Sequence, residues 1–182
     1  MKTDSELRAM NVYARGARDG ARMGVLLCGI FASWALAARY APAALAFPLL
    51  CVAVPVAAWL MLRRSYRVDL GTSTFSALWM HGICIFFFGT LLMAALALVW
   101  LRWLEPGLIR ESLTAAADTY AQIGTPEAAR LAADVHTLLE RGMLPRPVDV
   151  ALALLWAGVA SGSILSMALS AIIRAAGYRP KK

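Results

Sequence analysis

Between Leu78 and Leu101 the chain reads LWMHGICIFFFGTLLMAALALVWL, 24 residues without a formal charge. At about 1.5 Å per residue, such a helix reaches roughly 36 Å, enough to cross a ~30 Å hydrocarbon layer with some tilt. Trp79 lies near one end and Trp100 and Trp103 near the other, where amphipathic rings favour the membrane–water boundary. Arg102, Glu105 and Pro106 then stop the run. A stretch like this predicts a transmembrane helix, and 60% hydrophobic residues with a mean hydropathy of +0.64 over 182 residues place the whole chain in the same class.

Three further apolar runs accompany it. Met23 to Ala38 is the first, read as an uncleaved helix rather than a signal peptide. Ala43 to Leu62 is the second, preceded by Pro42, which suits a first helical turn, and carrying Pro48 and Pro55, which tend to bend a helix. Val150 to Ile173 is the last. The hydroxyl cluster Thr72, Ser73 and Thr74 is placed to cap the third span.

Small residues recur every four positions in two of these runs: Gly16, Gly20, Gly24, Cys28 and Ala32 in the first, and Gly158, Gly162, Ser166 and Ser170 in the last. Association of helices in a bilayer depends on close packing and interhelical hydrogen bonds, which such rows permit. Antiparallel spans one and four would bring Gly24 level with Ser170, Cys28 with Ser166 and Ala32 with Gly162. The expectation is that these two faces meet, within one chain or across a homodimer.

Between residues 105 and 147 the composition becomes that of a small soluble module. Leu108, Ile109, Leu113, Ala116, Ala117 and Tyr120 keep helical spacing, as do Leu131, Val135, Leu138 and Leu139. Gly124 can end one helix, Thr125 can cap the next, and Pro126 fits its first turn. The basic residues set orientation. The N-terminus, the 63–76 loop and the C-terminal tail carry five, three and four Lys or Arg, against six on the opposite side. Both termini are therefore expected in the cytoplasm of a bacterial inner membrane, with the module outside. The expected fold is all-α: one integral membrane domain over 1–182, a four-helix transmembrane bundle with a basic cytoplasmic N-terminus at 1–22. An extracytoplasmic helical hairpin at 105–147 lies between spans three and four.

Three features together suggest a family. They are the approach to span one (Arg15-Gly16, Asp19-Gly20, Gly24), the loop Arg63-Arg64-Ser65-Tyr66-Arg67 with Leu70-Gly71 and Phe75, and the exit Trp103-Leu104-Glu105-Pro106-Gly107-Leu108. With a roughly 40-residue helical insert before the final span, the chain resembles four-span bacterial membrane proteins, common in Bacteroidota, that are catalogued only as a domain of unknown function. That resemblance covers nearly the whole chain and implies no catalytic or binding residues.

Candidate chemistry is sparse. The net charge of +7 sits beside the apolar runs, so it speaks for lipid head groups rather than nucleic acid. Cys28, Cys51 and Cys84 fall inside apolar runs, without zinc or disulfide spacing. His81 is the one ionisable side chain well inside a span, and such residues are functional candidates. With no intramembrane Asp, Glu, Lys or Arg read as its partner, a hydrogen-bonding or interfacial role is favoured over a proton relay. His136 with Glu140 supplies two metal ligands at most. Ser161-Gly162-Ser163 lacks a triad, and phosphate loops are missing. Arg18, Arg22, Arg63, Arg64, Arg67 and Arg174 form a cationic belt suited to lipid head groups. No cofactor or metal is expected. The expected role is a non-enzymatic accessory or scaffold protein acting through helix packing and its outer hairpin, with membrane lipid and a homo-oligomer or membrane-protein partner. A small transporter or channel, or a lipid-interacting enzyme at the cytoplasmic face, are the alternatives.

Overall fold

A computed structural model describes residues 12–37, 39–69 and 71–177. Lys2, Arg8, Leu70, Arg179, Lys181 and Lys182, counted above among the flanks and the loop, lie outside the described residues, as does Ala38. Among the described residues six α-helices follow one another: α1 Val12–Leu36, α2 Ala41–Val68, α3 Phe75–Val99, α4 Leu108–Ile123, α5 Pro126–Glu140 and α6 Pro147–Ala176. Among the described residues there is no strand. Helices α1, α2, α3 and α6 are long and apolar enough to cross a membrane. The fold is all-α.

Local chemistry accounts for the helix ends. Pro42 occupies the first turn of α2, and the helix runs unbroken through Pro48 and Pro55, both exposed. Of the three hydroxyls before α3, Thr74 does the capping: its Oγ1 accepts from the Ala77 N–H at 3.2 Å. Helix α3 widens into a π-helical turn at Trp100–Leu104, closed by the Glu105 N–H donating to the Trp100 carbonyl at 2.9 Å. Gly124 ends α4 at φ +74°, where a β-carbon would be strained, and Thr125 Oγ1 accepts from the Ala128 N–H at 3.3 Å to start α5. Helix α1 begins well before the apolar run at Met23. The polar turns that precede that run are stabilised by ion pairs described below.

The chain divides into two compact units. In the first, Met1–Ala95 with Ala153–Lys182, a core of Met23, Leu27, Ala58, Leu62, Tyr66, Leu78, Ile85, Phe86, Leu169 and Ile173 draws on all four long helices. Helix α3 stands between α1 and α6. A β-carbon added at Gly20 would lie 2.7 Å from Phe88 Cβ and 3.0 Å from the Ile85 carbonyl, and one at Gly24 would lie 2.6 Å from Leu92 Cδ1. On α6, Gly158 receives Thr90 and Gly162 receives Phe86, while Ser166 fills the space beside Gly82. The order of these contacts makes α3 parallel to α1 and antiparallel to α6.

This arrangement corrects the expectation that the two small-residue rows meet. Gly20 and Gly24 face α3, and so do Gly158, Gly162 and Ser166. At 100° per residue, the α3 positions that meet α1 and those that meet α6 lie on stripes roughly 120° apart. The physical reason is volume: Phe86, Phe88 and Leu92 are knobs that need recesses, and glycine supplies them. Cys28 and Ala32 are half-buried, and Ser170 is wholly buried with an unpartnered hydroxyl.

The second unit, Leu96–Leu152, contains α4 and α5, which pack on each other. Its buried side chains are mostly small: Ala97, Ala117, Ala128, Ala132 and Ala151, with Leu101 and Leu108. Ile123, Leu131, Leu138 and Met143 remain exposed.

Candidate functional site

The first unit gathers Arg15, Arg18, Asp19, Arg22, Arg64, Asp69 and His81 where α1 begins, α2 ends and α3 begins. Arg15, one residue before Gly16, reaches the Asp69 carboxylate that follows α2. Its Nη1 donates to Oδ1 at 2.8 Å and its Nη2 to Oδ2 at 3.4 Å. Ser73 Oγ donates to Asp69 Oδ2 at 2.6 Å, and Thr72 Oγ1 donates to the Asp69 carbonyl at 2.6 Å. One carboxylate thus joins α1 to the turn between α2 and α3. Burial pushes the Asp69 carboxyl up, but the hydrogen bonds from Arg15 and Ser73 and the charge of Arg15 outweigh it, holding Asp69 below its ordinary value.

One turn further along α1, Asp19 lies between Arg22 and His81. Arg22 Nη1 is 3.5 Å from Asp19 Oδ1, and His81 Nε2 is 3.5 Å from Oδ2. His81 is 1% exposed, and neither of its ring nitrogens has a hydrogen bond. The Asp19 contact is therefore within ion-pair reach without being a formed hydrogen bond. Gly16 makes the close approach possible, since a β-carbon there would stand 2.5 Å from Cys84 Cβ and 3.7 Å from His81 Nδ1. The expectation that His81 lacks an acidic partner is corrected by this geometry. Asp19 reads as part of a basic flank in the sequence, but helix α1 carries it inside.

The arginine belt separates into distinct groups. Arg18, Arg22 and Arg64 line a crevice of about 20 Å³ together with Arg15, Asp19 and Ser65, room for about one water molecule. Arg15 Nε and Arg18 Nη1 are buried there without a hydrogen-bond partner. Arg63 and Arg67 instead line a second, larger cavity of about 400 Å³ with Trp59, Tyr66, Ile173, Ala176 and Gly177. Arg174 is exposed and lines neither.

Sequence reasoning passed over Asp19 as a partner and Arg15 as the residue that ties α1 down. A signal was present: an acidic residue set among Arg15, Arg18 and Arg22, immediately before Gly20 in the small-residue row. Chemically, the Asp19–His81 contact sets a half-buried carboxylate beside a buried imidazole, whereas the Arg15–Asp69–Ser73 group is a fastening between helices.

A family model described as "Protein of unknown function (DUF4199)" matches residues 20–175. Neither a curated protein nor a solved structure matches.

Proposed function

The chain belongs to the DUF4199 family, whose function is unknown, and from its geometry we propose that it is a non-enzymatic accessory or scaffold protein of a bacterial inner membrane. The observation that carries this reading is the use made of the charged groups. Arg15, Asp69 and Ser73 are bound to one another across α1, α2 and the start of α3, so the carboxylate best placed for surface chemistry is already engaged in joining helices. The basic end faces the cytoplasm in this proposal, with both termini there and the 105–147 hairpin outside. The exposed apolar side chains Ile123, Leu131, Leu138 and Met143 then offer that hairpin a surface for a membrane-protein partner or a second copy of the chain.

Purification in gentle detergent, with identification of the proteins that accompany the chain, tests the proposal. A stable partner that is lost on replacing Leu131 and Leu138 by Ser supports it. Recovery of the chain alone at every detergent concentration counts against it. Cysteine labelling of the 105–147 segment in intact cells tests the orientation.

A second reading, a small proton-linked carrier, is favoured by one observation: Asp19 stands beside buried His81, and ionisable pairs inside spans commonly mark transport pathways. In reconstituted vesicles this reading expects solute movement that responds to a pH gradient and disappears in His81→Ala. The scaffold reading expects no movement in either protein.

A further inference from the structure

We propose that the cavity between the ends of α2 and α6 is a binding site for the phosphate head group of an anionic phospholipid. Trp59, Arg63 and Arg67 line it from α2, and their four-residue spacing puts them on one face of the helix. Tyr66 and Ile173, both buried, form its floor, and Ala176 stands at its edge. Among the described residues neither Arg63 nor Arg67 forms an ion pair, and no carboxylate lines the cavity. This separates them from Arg15 and Arg22, whose charges are met by Asp69 and Asp19.

Two features choose a lipid over a free phosphate. First, Val52, Val56 and Leu60 are exposed on α2, and at 100° per residue they share a stripe with Trp59, Arg63 and Arg67. An acyl chain laid along that stripe brings its phosphate to the two guanidiniums, which match phosphate oxygens in a planar fork. Second, about 400 Å³ with apolar walls exceeds what a bare phosphate fills and lies within the ordinary range of ligand pockets. Basic hollows between spans at one membrane face suit anionic head groups. The inference depends on the helices crossing a bilayer and is independent of the scaffold reading, so a missing protein partner leaves it standing.

The test measures phospholipid retained by the full-length chain after purification in mild detergent, by native mass spectrometry, with phosphatidylglycerol and phosphatidylcholine offered in equal amounts. The wild type is expected to retain phosphatidylglycerol preferentially. Arg63→Gln with Arg67→Gln is expected to lower that retention about tenfold, and Ala176→Trp, which sets an indole at the cavity's edge and leaves every charge in place, to lower it in the same direction. Arg130→Gln with Arg141→Gln, an equal charge loss in the other unit, is expected to leave it unchanged. Should the double arginine variant fail to fold, Arg63→Gln alone and Ala176→Trp decide. Wild-type retention in Ala176→Trp, or equal retention of the two lipids, overturns the proposal. Full displacement of the lipid by millimolar inorganic phosphate makes the ligand a free phosphate and overturns it as well.

Discussion

Helices α1 and α2 divide the work of the first unit in a way their compositions would not suggest. Helix α1 is the least apolar of the four long helices and carries Arg15, Arg18, Asp19 and Arg22 in its early turns, yet 33% of its most apolar 18-residue stretch is buried. Helix α2 is far more apolar, but only 11% of its corresponding stretch is buried, and Leu45, Leu49, Val52, Val56 and Leu60 point outward. In water the greasier helix would take the centre. Lipid tails are as apolar as leucine, so burial in a bilayer follows fit and hydrogen bonding instead. Helix α1 is held by glycine recesses and ion pairs, and α2 presents its grease to the solvent that prefers it.

The contrast is broken most severely at the recesses. Gly20→Leu or Gly162→Leu drives a side chain into Phe88 or Phe86. Overpacking costs about 1–3 kcal/mol even where neighbours can shift, and here the neighbours are the ring of core Phe86 at Gly162 and, at Gly20, the Phe88 β-carbon with the carbonyls of Cys84 and Ile85. The expected outcome is loss of most folded protein, read as monodisperse yield in detergent. If Gly162→Leu leaves yield and melting temperature untouched, the packing of α6 on α3 is wrong.

Next in size is the ion pair. Arg15→Ala leaves Asp69 without its cation. Breaking a buried pair costs about 3–5 kcal/mol, and because Asp69 is partly exposed the expectation here is about 2 kcal/mol. The double variant with Asp69→Ala is expected to cost less than the sum of the single changes, a coupling that a double-mutant cycle measures.

The same pair has a pH signature whose sign is fixed. Asp69 releases its proton more readily folded than unfolded. Its contribution is therefore complete above the ordinary carboxylate value of about 3.9 and is lost as pH falls through the lower folded value. Thermal melts below about pH 4 are expected to show that loss in the wild type and a shallower decline in Asp69→Asn. The smallest effect belongs to α2: Leu49→Ala, on the outward face, is expected to change stability by no more than about 0.5 kcal/mol. A large loss there would mean that this face is covered by protein.

How much of this was legible beforehand depends on the kind of signal. Uncharged runs and capping residues act locally, so the four long helices and the Gly124–Thr125 junction could be read one segment at a time. Helix pairing could not. A four-residue row of small side chains says that a face is shallow, but the residue that enters each recess lies in another segment, and Phe86, Phe88 and Leu92 carry no mark of their destination. The Asp19–His81 contact was hidden for a related reason: a charge in the first turns of a helix reads as solvated flank until the neighbouring helix is in place. Arg63 and Arg67 looked equivalent to Arg18 and Arg22 because sequence proximity to an apolar run records depth and omits which counter-ion is near.

The seating of α3 has a mechanical outcome. With Phe86 lodged at Gly162, Thr90 at Gly158, Phe88 at Gly20 and Leu92 at Gly24, the three helices behave like a toothed rack. Moving α3 along its axis by one residue, about 1.5 Å, would push every tooth onto its neighbour at once. The trio therefore resists axial travel, and α2, which enters no recess, is coupled to it through Ala58, Leu62 and Tyr66 in the core and through the Asp69 carboxylate.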